Sequence, residues 1–124
     1  MMRKLKAIIV SLLTAWGVYA ADITPITNAL KSGDAAALAG NMYTETDIAV
    51  PGAAQKGSPA EAGAILSRFF QGNTPSGFTV VHQADKNDGG FVVGKMQTSG
   101  REYRVNITYI VKDGRALIQT IRIE

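Results

Sequence analysis

An α+β fold, with helices packed against an antiparallel sheet, is predicted by two features of the chain. Four strand-like segments separated by three glycine-bearing turns fill Phe78 to Glu124, and helical spacing of apolar residues dominates the region before them. The turns are Lys86-Asn87-Asp88-Gly89-Gly90, Ser99-Gly100-Arg101 and Asp113-Gly114. Each is expected to supply positive-φ residues that let a strand double back on its neighbour. The third strand has a clear period of two, with Tyr103, Val105, Ile107, Tyr109 and Val111 on one face and Glu102, Arg104, Asn106 and Thr108 on the other. One face is therefore built for a core. Gly94, inside a strand, predicts a bend or bulge that helps the sheet to curl.

Upstream, Thr24-Pro25 pairs a capping hydroxyl with a proline in its tolerated first-turn position. A helix to about Ser32 follows, with Ile26, Ala29 and Leu30 as its apolar stripe and Gly33 as its stop. Asp34 caps a second short helix running through Met42 and completing a helical hairpin. Thr46 to Val50 reads as a short strand ended by Pro51-Gly52, and Gly52 to Gly57 as a loop. Ser58-Pro59-Ala60-Glu61 then opens a third helix with a capping-box pattern. Its stripe is Ala62, Ile65, Leu66, Phe69 and Phe70, and Asn73 to Gly77 turns the chain into the meander.

The N-terminus predicts an address. Arg3, Lys4 and Lys6 precede the apolar run Ala7 to Leu13, and Val18-Tyr19-Ala20 places small residues at −3 and −1 of a cleavage site after Ala20. Residues 1–20 thus read as a signal peptide and 21–124 as a single domain. A membrane anchor fits less well, because Ser11, Thr14 and Gly17 break the apolar run short of the roughly 20 residues a span needs. The leader holds three of the 13 Lys and Arg and none of the 10 Asp and Glu, so the mature chain carries ten of each and no net charge. That balance removes the electrostatic case for nucleic acid or an anionic membrane as partner. With no cysteine in the chain, disulfide and thiol chemistry are excluded and stability rests on the hydrophobic core.

The ordered set Met42-Tyr43, Val50-Pro51-Gly52, Arg68-Phe69-Phe70, Phe78-Thr79-Val80-Val81-His82, Gly94-Lys95-Met96, Tyr103-Arg104-Val105 and Ile118 to Glu124 resembles the nuclear transport factor 2-like superfamily. Within it the chain looks like the secreted bacterial group called domain of unknown function family 4783. The resemblance implies a cone in which a curved sheet wraps the helices and a pocket forms in the mouth. It also implies export to the periplasm or exterior of a Gram-negative bacterium. Ketosteroid isomerases and their dehydratase relatives resemble the chain along Met42 to Gly52. In those isomerases an aspartate just before the proline is the proton-shuttling base; here Val50 stands there, and valine cannot transfer a proton. Glu45 and Asp47 nearby read as solvated carboxylates.

Pairing across the turns sets His82 beside Val93, Val93 near Ile107, and Ile107 near Thr120. By this register Phe78, Val80, His82, Phe91, Val93, Tyr103, Ile107, Tyr109, Ile118 and Thr120 face inward. His82, Tyr103, Tyr109 and Thr120 are then the candidate ligand-binding residues. His82 serves either as an acid–base group or ligand donor, or as a half-buried strand histidine bonded to a tyrosine or backbone carbonyl. The second is favoured, since no acid, nucleophile or oxyanion donor accompanies it by motif. One histidine without cysteine provides no zinc site, and no cofactor is expected. Arg104 and Arg122 fall on opposite faces by the same count and make a weak anion site.

The outer face would carry Val81, Val92, Met96, Ile110, Leu117, Ile121 and Ile123 among Gln83, Asn106, Thr108 and Gln119. A mixed face of this kind suits a protein interface, and a homodimer through it is expected. Two functions stay open. One is a non-enzymatic exported binding or interaction domain holding a small apolar ligand in the cone; the other is an isomerase-like or dehydratase-like enzyme using His82 in the pocket. If the leader is cleaved as read, N-terminal sequencing of exported protein will begin at Ala21. Intact Met1 in a membrane fraction would contradict it.

Overall fold

The computed structural model describes residues 21–124; the signal-peptide reading of residues 1–20 lies outside them. Three helices, α1 (Thr24–Ser32), α2 (Ala35–Gly40) and α3 (Pro59–Gly72), pack on one six-stranded sheet. Its strands are β1 (Met42–Val50), β2 (Ala53–Gly57), β3 (Pro75–Asp85), β4 (Gly89–Thr98), β5 (Glu102–Lys112) and β6 (Arg115–Ile123). They lie in the order β2-β1-β6-β5-β4-β3, so the meander is intact and β1 joins it by pairing parallel to β6. The α+β class follows.

Local chemistry explains most boundaries. Ser58 accepts from the Glu61 N–H at 3.2 Å while the Glu61 carboxylate accepts from the Ser58 N–H at 3.0 Å, closing the capping box of α3. Asp34 caps α2 through the Ala37 N–H at 3.0 Å, and Gly33 ends α1 in the left-handed region at φ 67°. Thr24 is not the cap of α1. It is the first helical residue, and the Asp22 carboxylate accepts its N–H at 2.9 Å. Helix α2 stops at Gly40 rather than Met42, because Asn41 and Met42 are drawn into backbone pairing with Ile118. The strand expected from Thr46 therefore starts at Met42, and the loop expected at 52–57 is strand β2, hydrogen-bonded to β1 from Val50↔Ala53 to Thr46↔Gly57.

Of the three meander turns only the last uses positive φ, at Asp113 (53°) and Gly114 (77°), as a two-residue primed hairpin requires. Gly89, Gly90 and Gly100 do not adopt it, against expectation. Gly90 is required by space instead: a Cβ there would sit 2.6 Å from the Tyr109 hydroxyl. Gly94 likewise leaves no room for a side chain: a Cβ there would meet the Thr79 carbonyl at 2.7 Å and the Phe78 ring.

The sheet has register shifts in β1, at two places in β3, and in β6, and two of them bear on the candidate residues. Val80 pairs with Gly94 but His82 with Val93, so Val81 is an extra residue in β3. Thr108 pairs with Thr120 but Tyr109 with Ile118, so Gln119 is an extra residue in β6. The expected His82↔Val93 pair is present, whereas Val93 faces Asn106 rather than Ile107, and Ile107 faces Ile121 rather than Thr120. The inward set is accordingly corrected. His82, Phe91, Val93 and Thr120 are on the outer face, and Val80, though inward by register, is 41% exposed. Val92, Met96, Ile121 and Ile123, assigned outward, are core residues no more than 2% exposed. The β5 alternation holds: Tyr103, Val105, Ile107 and Tyr109 are all buried. Arg104 and Arg122 share the outer face, each adjacent in sequence to residues buried on the inner one.

Candidate functional site

The cone has its mouth where β1 turns into β2. Pro51 and Gly52 make that turn, Gly52 at φ 89° in a conformation open to glycine, and the C-terminal half of α3 runs beside it. Between them lies an open cleft of about 310 Å³ lined by Val50, Pro51, Gly52, Ala53, Ile65, Arg68, Phe69 and Asn73. Val50, Ile65 and Phe69 make its wall apolar. The ring of Phe69 is fixed edge-on by Tyr103, centroids 5.2 Å apart, and by Phe70 at 5.8 Å.

Asn73 closes one end. Its Oδ1 accepts the Tyr103 hydroxyl at 2.8 Å and its Nδ2 donates to the Phe69 carbonyl at 3.1 Å, leaving one amide hydrogen with no acceptor among the described residues. Arg68 is the only charged residue in the lining, is exposed, and has no ion-pair partner among the described residues. A second guanidinium, Arg101, lies over the Tyr103 ring at 4.8 Å. The arrangement can hold an apolar body against Phe69 and offer donors at its rim. It contains no group able to take a proton from a substrate.

The four residues singled out from sequence are not brought together. His82 is exposed on the outer face beside Phe91, ring centroids 5.3 Å apart. Thr120 shares a 2.6 Å hydroxyl–hydroxyl hydrogen bond with Thr108 on that same face, in a shallow groove of about 630 Å³ that also holds Asp47, Lys56, Asn106, Arg122 and Glu124. Tyr103 and Tyr109 do point inward, with their hydroxyls at the margins of the core, on Asn73 and on Asp85. Glu45 pairs loosely with Lys56 at 3.6 Å, both well exposed, as a solvated carboxylate does. Val50 forms part of the cleft wall. Among the described residues no group of three or more His, Asp or Glu could hold a metal ion.

A family profile described as Domain of unknown function (DUF4783) matches residues 23–124. The chain belongs to this family. A DUF4783 protein from Bacteroides ovatus is 29% identical with a TM-score of 0.75, the match covering 81% of this chain and 91% of that one. Another from Bacteroides uniformis is 24% identical, also at 0.75, covering 81% and 93%. A nuclear transport factor 2-like protein of unknown function from Silicibacter pomeroyi superposes at 0.61 with 15% identity over 96% and 97%. Among curated proteins nothing matches. The DUF4783 domain thus has a nuclear transport factor 2-like fold in a family of unknown function.

Arg68 and Asn73 were missed as site residues by sequence reasoning. Their only signals were membership of the Arg68-Phe69-Phe70 run and a polar residue just past the end of a helix. One perturbed group lies apart from the cleft. Burial, and then the hydrogen bond to Asp85, push the Tyr109 phenol up to about 12 from 10.0. The folded state keeps a proton that the unfolded chain releases near pH 10, so this contribution to stability is complete below about pH 10 and is lost as pH rises towards 12. Spectrophotometric titration should show a late tyrosine phase that is absent in Tyr109→Phe and moves to lower pH in Asp85→Asn. A Tyr109 phase at the ordinary phenol value would contradict the buried pairing.

Proposed function

We propose that the DUF4783 domain works by binding rather than by turnover, as an exported domain that associates through the outer sheet face and takes a small apolar ligand at the mouth of its cone. The observation that carries this reading is the filled interior. Leu66, Met96, Val105, Ile107 and Ile118 are at most 1% exposed, so the interior enclosed by the sheet and the helices is packed with side chains. The enzyme alternative needed His82 in a pocket. The imidazole instead lies outside, with no carboxylate partner among the described residues.

The outer face supports association. Val81 is 58% exposed, and Phe91, Val93, Ile110 and Leu117 are partly exposed, with Ile110 and Leu117 directly paired across β5 and β6. These residues are distributed over four adjacent strands among His82, Asn106 and Thr108, a mixed face of the kind that associates. Ile121 is no part of it, being 1% exposed in the core. A charge placed on this face would be unpaired and desolvated on association, at a cost of about 2–5 kcal/mol. Sedimentation velocity is therefore expected to show a dimer for the wild type and a monomer of unchanged circular dichroism for Ile110→Glu. A wild type that stays monomeric at high concentration would rule out this mode of association.

A further inference from the structure

We infer that the cleft at the cone mouth binds a small apolar carboxylate, with its hydrocarbon against Val50, Ile65 and Phe69 and its charged end on Arg68. The inference rests on the binding reading above and names the ligand class. Three properties of the lining point to it. The wall is apolar and includes Phe69, whose ring packs against Tyr103 and Phe70. The cleft is open and measures about 310 Å³, at the small end of the range for ligand sites, which suits a small molecule.

The third property is electrostatic. The lining contains one guanidinium and no carboxylate, so the cleft presents a single positive charge with no partner among the described residues. A guanidinium forms two parallel hydrogen bonds to a carboxylate, and the uncommitted amide hydrogen of Asn73 adds a neutral donor at the same rim. The larger groove on the outer face has no such bias. It mixes Asp47 and Glu124 with Lys56 and Arg122, and so selects neither sign.

The test uses the full exported protein and two probes of one shape, 3-phenylpropionate and its neutral amide, with binding read by calorimetry and by backbone amide shifts. The acid should bind at least about tenfold more tightly than the amide, with shifts centred on Ala53, Phe69 and Asn73. Arg68→Gln should bring the acid down to the affinity of the amide while leaving the amide unchanged. Lys86→Gln, which removes an exposed charge in the β3–β4 turn, should alter neither. Equal affinity for acid and amide, or a preference surviving in Arg68→Gln, would overturn the assignment of charge and leave an apolar cleft. Failure of both probes to bind, or shifts confined to the outer face, would overturn the cleft itself. Neither result changes the association read by sedimentation.

Discussion

Two extra residues, Val81 in β3 and Gln119 in β6, decide which side chains of those strands face the core. A bulge adds one residue to one strand only, which bends that strand, increases its twist and reverses the facing of all residues beyond it. In β6 the consequence is direct. Without Gln119 as an extra residue, Ile118, Thr120 and Arg122 would share a face; with it, Ile118, Ile121 and Ile123 all enter the core at 2% exposure or less. Burying each isoleucine is worth about 1.5–3 kcal/mol, whereas burying Arg122 would cost several. The bulge is thus the arrangement in which the terminal strand has a core face at all.

Curling the sheet brings it around α3, and the stripe of that helix fills the concavity. Leu66, Phe69 and Phe70 meet Met96, Tyr103 and the β5 valine and isoleucine in one buried cluster. What remains accessible is therefore peripheral: the cleft where β1 turns over the end of α3, and the outer face. The same bulge that curls β3 turns His82 outward beside Phe91. Closure of the cone and loss of an internal acid–base group are one structural event. The binding and the association proposed above make use of the cleft and the outer face.

Much of this was legible in the sequence where local chemistry decides. Ser58 and Glu61 announced the capping box, Asp113-Gly114 the primed turn, and the β5 alternation placed Tyr103 and Tyr109 inside. Val50 before Pro51, read as lacking the proton-transfer group of an isomerase, lines the cleft. Counting through turns failed in two places. The Ser99–Arg101 turn pairs Val93 with Asn106, one residue short of the expected Ile107, which puts Val93 and its partner His82 outside. In β6 the extra Gln119 shifts the count, a residue whose type marks no unpaired position. Strand β2 was hidden for another reason: Ala53-Ala54-Gln55-Lys56-Gly57 has no β-branched residue and no alternation, and it is a strand only because β1 offers it an edge. The cleft was invisible because a lone arginine and a lone asparagine form no motif. Their meaning lies in what β1 brings next to them.

The register of β6 is the claim on which the faces, the filled cone and the placement of the site all depend. Adjacent residues test it, because the sequence pairing puts Thr120 inside and the bulged pairing puts Ile121 there. Urea unfolding of Thr120→Lys and Ile121→Lys, followed by circular dichroism, decides between them. The structure predicts that Thr120→Lys folds with a loss of no more than about 1 kcal/mol, on the solvent side of the sheet. It predicts that Ile121→Lys does not fold, since an unpaired buried charge costs a large part of the roughly 5–15 kcal/mol that holds a small domain together. A folded Ile121→Lys beside an unfolded Thr120→Lys would contradict the account.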